Sequence, residues 1–246
     1  MSGMSGHDLA WIRADNPSPM TLQGTNTWVL GRDPCYVVDP GPLLEAHVAA
    51  VVEEGERRGG IAGIALTHSH ADHTDAVEEL RARTGAPAPA TSGELGPLRA
   101  VFTGGHSPDH VAWVWERVCC TGDAVLGEGS VFVATGLAGY LDALRALRAL
   151  DLDVLLPGHG PPVEDPAAKL DEYVEHRLER EQRLIAALAR RRRTVDELLD
   201  DAWSDAPREL RLPAAVTLAA HLDKLEAEGR LPDGVERPSV PEYLAV

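Results

Sequence analysis

The sequence has few cysteines and no long apolar run. Its three cysteines are Cys35, Cys119 and Cys120, and the adjacent pair would point to opposite faces of a strand, so no disulfide framework is encoded. No run of about 18 apolar residues occurs, which excludes a transmembrane helix. Residues 1–6 lack the basic and apolar regions of a secretory signal. We therefore expect a cytoplasmic protein without a membrane partner.

Positive charge is also scarce, because 23 lysines and arginines face 39 aspartates and glutamates and the net charge is −16. A field of that sign opposes unspecific binding to nucleic acids and anionic membranes. The composition is otherwise that of a globular protein, with 44% hydrophobic and 25% charged residues, and it excludes collagenous, coiled-coil and disordered chains. A chain of this length can bury enough surface to fold without disulfides or structural metals.

Up to about residue 160, short β-like runs alternate with turns and amphipathic helices, which predicts a layered α/β domain. Strands are predicted at residues 27–30, 36–38, 61–66, 110–115, 118–121 and 154–156, and helices at residues 44–58, 75–83 and 141–150. After residue 166 only helical spacing occurs, over residues 169–193, 194–202 and 214–229. We therefore predict two domains, residues 1–168 and residues 169–246.

Histidines and aspartates gather where the predicted strands end. His68, His70, Asp72 and His73 lie within six residues, directly after the strand predicted at residues 61–66. In an extended segment residues two apart point the same way, so His68 and His70 can present imidazole nitrogens to one ion. Asp72 and His73 begin the following helix and point elsewhere, which suits a second ion nearby.

Three later residues complete this predicted site of two metal ions. His106 would complete one of the two sites and His159 the other, and the Asp123 carboxylate would bridge them. A structural zinc site is usually closed and often rich in cysteine, whereas these nitrogen and oxygen donors leave room for solvent and indicate a catalytic metal. Zinc is the expected ion, and iron or manganese would accept the same ligands.

Four motifs follow one another along the chain: His68-Ser69-His70-Ala71-Asp72-His73, Thr103-Gly104-Gly105-His106-Ser107, Thr121-Gly122-Asp123 and Pro157-Gly158-His159-Gly160. In this order they resemble the metallo-β-lactamase superfamily of hydrolases. Further segments resemble its lactamase-beta-2-like branch: Gly24-Thr25-Asn26-Thr27-Trp28, Val38-Asp39-Pro40-Gly41, Asp109-His110 and Leu126-Gly127-Glu128-Gly129. Two tail segments resemble the winged-helix-like C-terminal unit of that branch: Thr194-Val195-Asp196-Glu197-Leu198 and Ala220-His221-Leu222-Asp223-Lys224-Leu225.

The resemblance implies an α/β fold, namely a four-layer αββα sandwich with a dinuclear site at one sheet edge and a small all-helical, winged-helix-like C-terminal domain. It implies one ion on His68, His70 and His106, a second ion on Asp72, His73 and His159, and Asp123 on both. Water between two such ions becomes a metal-bound hydroxide near neutral pH, and the ions stabilise the oxyanion that forms as it attacks. Asp72 would also be a catalytic residue that orients this hydroxide.

Two features depart from the usual pattern of the family. The segment between His73 and His106 is short, as though a strand pair and its connecting loop were missing, which would open the pocket or shorten one sheet. Gly104-Gly105 also precedes His106 where Pro-Gly is commoner, and this change loosens the loop without removing a ligand.

Other residues near the motifs are weaker candidates. His110 begins an apolar strand and is a candidate for substrate binding or for protonating a leaving group, with packing as the alternative. Tyr140 precedes the helix at residues 141–150 and is a candidate substrate contact, again with packing as the alternative. Residues 190–193 are four arginines that suit a solvated helix end, with an RNA contact as the alternative.

The leading hypothesis is a dinuclear metal-dependent hydrolase that opens a small-molecule thioester or ester. The alternative is a single-strand endoribonuclease, because the resembled branch includes RNA-cleaving members and winged helices often bind nucleic acids. An exported β-lactamase and a degenerate site that only binds or scaffolds are less favoured. The expected partners are therefore a small-molecule substrate, RNA under the alternative, and a second copy of the chain through the helical tail.

Overall fold

The computed structural model describes residues 6–239, which form two compact units. The first, here called the sandwich unit, comprises residues 6–103, 109–131 and 148–169. The second, called the helical unit, comprises residues 104–108, 132–147 and 170–239. The chain thus enters the helical unit for the last time between Lys169 and Leu170, but two earlier segments also belong to that unit. The division into domains at residues 168 and 169 stays a prediction.

Four strands form the first sheet of the sandwich unit: β1 (Leu9–Arg13), β2 (Asn26–Leu30), β3 (Cys35–Val38) and β4 (Ile61–Ala65). β1, β2 and β3 are antiparallel neighbours, whereas β3 and β4 are parallel. A parallel pair needs a crossover connection, and helix α1 (Glu45–Arg57) supplies it here. Parallel pairing brings the C-terminal ends of β3 and β4 to one edge, where Asp39 and His68 follow.

Five strands form the second sheet in chain order: β5 (Glu94–Leu95), β6 (Leu98–Phe102), β7 (Val111–Trp115), β8 (Val118–Gly122) and β9 (Val154–Pro157). The neighbours are antiparallel up to β8, and β8 and β9 are parallel. The C-terminal ends of β8 and β9 therefore also lie at one edge, where Asp123 and His159 follow.

The two sheets share an apolar core that explains the apolar runs of the strands. Trp28 and Val38 of the first sheet pack in one cluster with Trp113, Val118 and Leu156 of the second. Both buried indole N–H groups are satisfied, because Trp28 donates to the carbonyl of Pro157 at 3.0 Å and Trp113 to that of Leu66 at 2.9 Å. The core thus also holds the ends of β4 and β9 in place.

Helices cover the other face of the first sheet. The short helix α2 (Ala71–Thr74) is followed by α3 (Val77–Thr84). Val51 of α1 and Leu80 of α3 pack against Val29, Val37 and Ile64 of the sheet. Burial on both faces explains why residues 28–30 of β2 and residues 61–65 of β4 are apolar without alternation.

The short segment between His73 and His106 contains a strand pair of its own, and the expectation that a pair usual in the family is missing stays a prediction. β5 and β6 form a hairpin at the edge of the second sheet, although β5 has only two residues. Ala90, earlier in the same segment, forms an isolated parallel bridge with Ala65 at the end of β4.

The helical unit contains most of α4 (Leu137–Arg148) and of α5 (Pro166–Ala189), together with α6 (Val195–Ala202), a 3-10 turn (Arg208–Leu210) and α7 (Arg211–Ala227). Its core joins Leu184 and Leu188 of α5 with Leu198 of α6 and with Leu218 and Leu222 of α7. Thr194 and Glu197 form a capping box that starts α6. Within residues 6–239, no helix has the length and apolarity needed to cross a membrane.

Candidate metal centre

Side chains that can bind metal follow three strands of the sandwich unit. His68 and the short helix α2 come after β4, Asp123 directly follows β8, and His159 follows β9. The first sheet is joined to this edge of the second, since the N–H of Asn26 donates to the carbonyl of Gly158 at 2.8 Å. The ends of strands from both sheets therefore meet at one place in the unit.

Asp72, His73 and His159 present donor atoms that all lie within 4.8 Å of one another. Asp72 Oδ2 is 3.4 Å from Nε2 of both His73 and His159. Asp123 adds a second carboxylate, with Oδ2 3.3 Å from His159 Nε2 and Oδ1 3.6 Å from His73 Nε2. The structure thus brings together the three side chains that the sequence assigns to the second ion.

A second group with donor atoms within 4.8 Å consists of His68, His73 and Asp123. His68 Nε2 also faces His70 Nδ1 at a distance of 2.9 Å. The short distance between the two rings agrees with the prediction that residues two apart in an extended segment direct their side chains to the same side. Asp123 and His73 belong to this group and also lie beside His159, so the two groups are continuous.

Hydrogen bonds behind the site fix the tautomers of two imidazoles. His73 Nδ1 lies 3.0 Å from Asp39 Oδ2, and because a carboxylate only accepts, the proton is on Nδ1. His159 Nδ1 lies 3.4 Å from the carbonyl oxygen of Gly24, so it too donates. In the neutral form of both rings the Nε2 lone pair then points to Asp72 and Asp123, which is the state that binds a metal ion.

Asp39 orients two imidazoles with one buried carboxylate. Besides the bond from His73, it accepts from the backbone N–H of Thr67 at 2.8 Å and from Thr67 Oγ1 at 2.7 Å. Since the hydroxyl hydrogen of Thr67 is used in this way, Thr67 Oγ1 accepts from His68 Nδ1 at 3.0 Å. His68 Nε2 is therefore also left with its lone pair directed to the site.

The electrostatics of the group favour a cation. Burial alone would lower the pKa of His73, but the carboxylates of Asp123, Asp39 and Asp72 outweigh burial and raise this pKa to about 10. Burial likewise opposes charge on His159, yet Asp123 above all raises its pKa. His73 Nε2 is buried and has no hydrogen-bond partner within residues 6–239. Concentrated buried negative charge of this kind requires a positive partner, and nitrogen and carboxylate donors suit zinc.

The segment formed by Thr25, Asn26 and Thr27 links several parts of the centre. Thr25 Oγ1 donates to Asp72 Oδ2 at 2.9 Å. The Asn26 side chain donates to the carbonyls of Pro157 and Gly160, at 2.9 and 2.8 Å, and so holds the turn that carries His159. Thr27 Oγ1 donates to the carbonyl of Asp39 at 2.6 Å. The three residues thus contact the elements that supply ligands from both sheets.

His110 is fully buried, and both of its ring nitrogens are engaged. Its Nε2 accepts from the backbone N–H of Asp123 at 3.0 Å, and its Nδ1 lies 2.6 Å from Thr103 Oγ1. The ring also stacks on His68, with 4.8 Å between the centroids. Both ring nitrogens thus face protein atoms and one of them holds Asp123, and the candidate role in substrate binding stays a prediction from the sequence.

Tyr140 and His106 both lie in the helical unit. Tyr140 is 1% exposed and its hydroxyl is hydrogen-bonded to Arg177, while burial raises its pKa to about 12. This burial favours the packing alternative for Tyr140, and the candidate substrate contact stays a prediction from the sequence. His106 is buried in the connection between β6 and β7, with its ring centroid 4.9 Å from that of Phe132. Its role as a ligand stays a prediction from the sequence motif.

Comparisons with known proteins agree with this arrangement. Residues 20–100 match the family described as metallo-beta-lactamase superfamily, and residues 194–233 match the beta-lactamase associated winged helix domain. A beta-lactamase-like protein 2 homolog from Drosophila melanogaster is 32% identical over 88% of this chain and 87% of its own length. The lactamase-like protein nscB of Trichophyton rubrum is also 32% identical, over 96% of this chain and 76% of its own.

The chain belongs to the metallo-β-lactamase superfamily. The predicted family and fold class are thereby confirmed, and the protein is a metal-dependent hydrolase of this superfamily. A metallo-beta-lactamase family protein from Thermus thermophilus has a TM-score of 0.67 and 25% identity, covering 90% of this chain and 94% of the other. A beta-lactamase domain protein from Burkholderia ambifaria has a TM-score of 0.74 at 21% identity, covering 92% and 90%, and so shares the fold.

Sequence reasoning missed the residues that support the ligands in this superfamily member. In the sequence, Asp39 and Thr25 stand out only as members of motifs that resemble the family, and Thr67 has no predicted role in the site. The signal that could have found Asp39 is its place at the end of a buried strand, where a carboxylate is costly unless it is paired. Its partner His73 is distant in sequence, so no local pattern connects the two.

Proposed function

We propose that the protein is a dinuclear zinc hydrolase that opens the thioester or ester bond of a small molecule. The observation that carries the proposal is the approach of His73, His159, Asp72 and Asp123, with the imidazole protons held behind the site. Nitrogen and carboxylate ligands that leave room for solvent are typical of catalytic rather than structural zinc.

Each ion would have its own ligands. Asp72, His73 and His159 would hold one ion, and His68, His70 and His106 the other, with His106 assigned from its motif alone. Asp123 would contact both ions, which is supported by its place beside His73 and His159. Two divalent ions, when bound, supply an activated water and stabilise negative charge that develops on the substrate.

Asp72 is the residue that would orient the attacking water. Its side chain is 29% exposed, whereas His73 is fully buried and Asp123 is 10% exposed. A carboxylate at the border between the ligands and solvent can accept a hydrogen bond from water on the solvent side. We therefore assign Asp72 both a ligand role and a water-orienting role.

Single-stranded RNA is the second candidate substrate, on account of the match to a winged helix domain. The basic run at the end of α5 gives this alternative little support. Arg190 and Arg192 lie 2.9 and 3.3 Å from Asp201, and Arg192 also lies 3.3 Å from Glu197. Because these arginines pair with acids of their own unit, we favour a small uncharged or mildly anionic substrate.

The test combines metal analysis with hydrolysis assays. Zinc-loaded protein is given a panel of acyl thioesters, a panel of carboxylic esters and a labelled single-stranded RNA at low and physiological salt. We expect two zinc ions per chain and hydrolysis of a thioester or an ester. His70→Ala should lose one ion and at least about a hundredfold in kcat, since removal of a ligand disables the metal-activated water.

His7→Ala is the matched control, because His7 lies outside the centre and pairs with Asp153 instead. This variant should keep the metal content and the activity of the wild type. Cleavage of the RNA by wild type but not by His70→Ala would move the endoribonuclease to first place. Two bound ions without any hydrolysis of the three substrate classes would contradict the catalytic proposal.

A further inference from the structure

Thr25 connects a loop of the sandwich unit to Asp72. The side chain of Thr25 is fully buried, and its Oγ1 lies 2.9 Å from Asp72 Oδ2. The same oxygen of Asp72 lies 3.4 Å from Nε2 of His73 and of His159. The hydroxyl therefore contacts the carboxylate atom that faces the two imidazoles.

Asn16 determines the direction of this hydrogen bond. The backbone N–H of Thr25 donates to Asn16 Oδ1 at 2.9 Å, so the amide oxygen of Asn16 must face that N–H. The amide nitrogen then faces Thr25 Oγ1 and donates to it, also at 2.9 Å. With this lone pair of Thr25 occupied, the hydroxyl hydrogen is directed to Asp72, whose carboxylate can only accept.

The loop that carries Asn16 is held by its own hydrogen bonds. Thr21 Oγ1 donates to the carbonyl of Asn16 at 2.5 Å, and Ser18 pairs with Leu22. Gly24 closes the loop with a φ of 128°, and a Cβ there would lie 2.0 Å from the carbonyl oxygen of Ala14. Asn16 and Thr25 are therefore held in position without help from Asp72.

We propose that Thr25 is a positioning residue for Asp72, whose carboxylate it holds with Oδ2 towards His73 and His159. The inference rests on the proposed function, because this orientation matters only if Asp72, His73 and His159 hold a metal ion. Asp72 is partly exposed, so without the bond its carboxylate can turn towards solvent. Hydrogen bonds to ligand residues typically change metal affinity or activity by about 10- to 100-fold.

Three variants test the role of the hydroxyl and its direction. Thr25→Val keeps the shape of the side chain but removes the hydroxyl, while Thr25→Ser retains it. Asn16→Asp keeps an acceptor for the N–H of Thr25 and replaces the amide donor with a second acceptor. The hydroxyl hydrogen of Thr25 should then turn to the new carboxylate and away from Asp72.

Three quantities are measured. They are the number of zinc ions per chain at increasing chelator concentrations, kcat and KM for the hydrolysed substrate, and the melting temperature of the metal-free protein. We expect Thr25→Val and Asn16→Asp to lose one of two ions at a chelator concentration about tenfold lower than the wild type requires. Their kcat should fall by a similar factor. Thr25→Ser should stay within about twofold of the wild type, and all metal-free proteins should melt within a few degrees of one another.

Two control variants isolate the cause. Thr84→Val removes a hydroxyl outside this loop, which donates to the carbonyl of Leu80 in α3. Met20→Glu adds a negative charge at an exposed position in the loop that carries Asn16. Both should retain zinc like the wild type. Wild-type retention of zinc by Thr25→Val, or equal loss in Thr25→Ser, would overturn the inference alone. A wild type that binds fewer than two ions would overturn the proposed function and this inference with it.

Discussion

Asp39 shows how much of the centre depends on one side chain that is not itself among the predicted ligands. Its carboxylate accepts a hydrogen bond from His73 Nδ1. It also accepts one from the Thr67 hydroxyl, whose oxygen in turn orients the ring of His68. Asp39→Asn would place an amide N–H₂ group where two donors now point, so His73 must rotate or change tautomer. We expect the affinity for zinc to fall by about 10- to 100-fold, measured by competition with a chromogenic chelator.

Asp153→Asn is the matched control for this prediction. Asp153 pairs with Arg117 and His7 at the surface of the sandwich unit, so its loss should leave the affinity for zinc unchanged. An Asp39→Asn variant that binds zinc like the wild type would show that the imidazoles are oriented without the carboxylate.

His110 leads to a second prediction at the residue scale. His110→Phe preserves a flat ring against His68 but removes the nitrogen that accepts from the N–H of Asp123 at 3.0 Å, so this hydrogen bond is lost. We expect looser zinc binding and a kcat lowered by about tenfold, as is typical for groups that orient ligands. Metal analysis and steady-state kinetics on the same sample would measure both effects.

A general acid at this position would behave differently. His110→Phe would then keep both zinc ions and lose one limb of the pH profile of kcat. The result therefore separates a residue that holds Asp123 from one that protonates a leaving group.

At the scale of elements, the turn after β9 fits tightly against the turn after β8. The N–H of Gly158 donates to the carbonyl of Gly122 at 2.8 Å. A Cβ at Gly158 would lie 2.5 Å from Asp123 Oδ1 and 2.7 Å from His73 Cε1. Gly158→Ala should therefore displace two predicted ligands and reduce zinc content and activity by at least about tenfold.

Gly139 provides the control for this substitution. It lies in α4, where an added Cβ would meet no atom of another described element within 4 Å, so Gly139→Ala should raise stability by up to about 1 kcal/mol. Zinc content by atomic absorption and thermal unfolding would be measured for both variants. Full zinc retention in Gly158→Ala would mean that the turn adapts more readily than its packing indicates.

The elements that the sequence predicted are those with clear apolar runs. β2, β3, β4, β7, β8 and β9 all lie within a residue or two of their predicted bounds. β1, β5 and β6 were missed: β5 has only two residues, Arg99 interrupts β6, and most side chains of β1 and β6 are exposed or only partly buried. α7 begins three residues earlier than predicted, since Pro213 is accommodated in the first turn, where it needs no N–H partner.

In the candidate site, the ligands could be predicted from the sequence but the residues that orient them could not. Its predicted ligands lie in short motifs at strand ends, so the chemistry of each residue could be inferred from its neighbours. The contacts of Asp39, Thr25 and His110 join residues far apart in the chain and depend on how the sheets pack. Such pairs have no local pattern, and only the folded structure shows them.

At the scale of the whole molecule, the acidic charge and its distribution limit the range of partners. The net charge is −16, and the one run of arginines is largely paired with acids of α6. Long-range attraction of RNA therefore has no evident source in the described part of the chain. Metal ions at the centre would supply local positive charge, which is sufficient for a small substrate.

The stability of the full chain should depend on pH through His221 of the helical unit. This side chain is fully buried, and within residues 6–239 neither ring nitrogen has a hydrogen-bond partner. Burial above all, with Arg177, Lys224, His176 and Arg180 nearby, lowers its pKa to about 3, and Glu181 at 4.0 Å does not offset this. His221 therefore stays neutral in the folded protein at mildly acidic pH.

The unfolded chain takes up a proton on His221 below about pH 6.5, whereas the folded chain does not, so stability is lost as the pH falls. Between pH 7.5 and 5.5 this residue should cost about 1 kcal/mol of unfolding free energy. His221→Leu removes that contribution, and other titrating groups cancel in the comparison. Urea unfolding of both full-length proteins at the two pH values would measure it, and equal losses of stability would contradict a neutral buried imidazole.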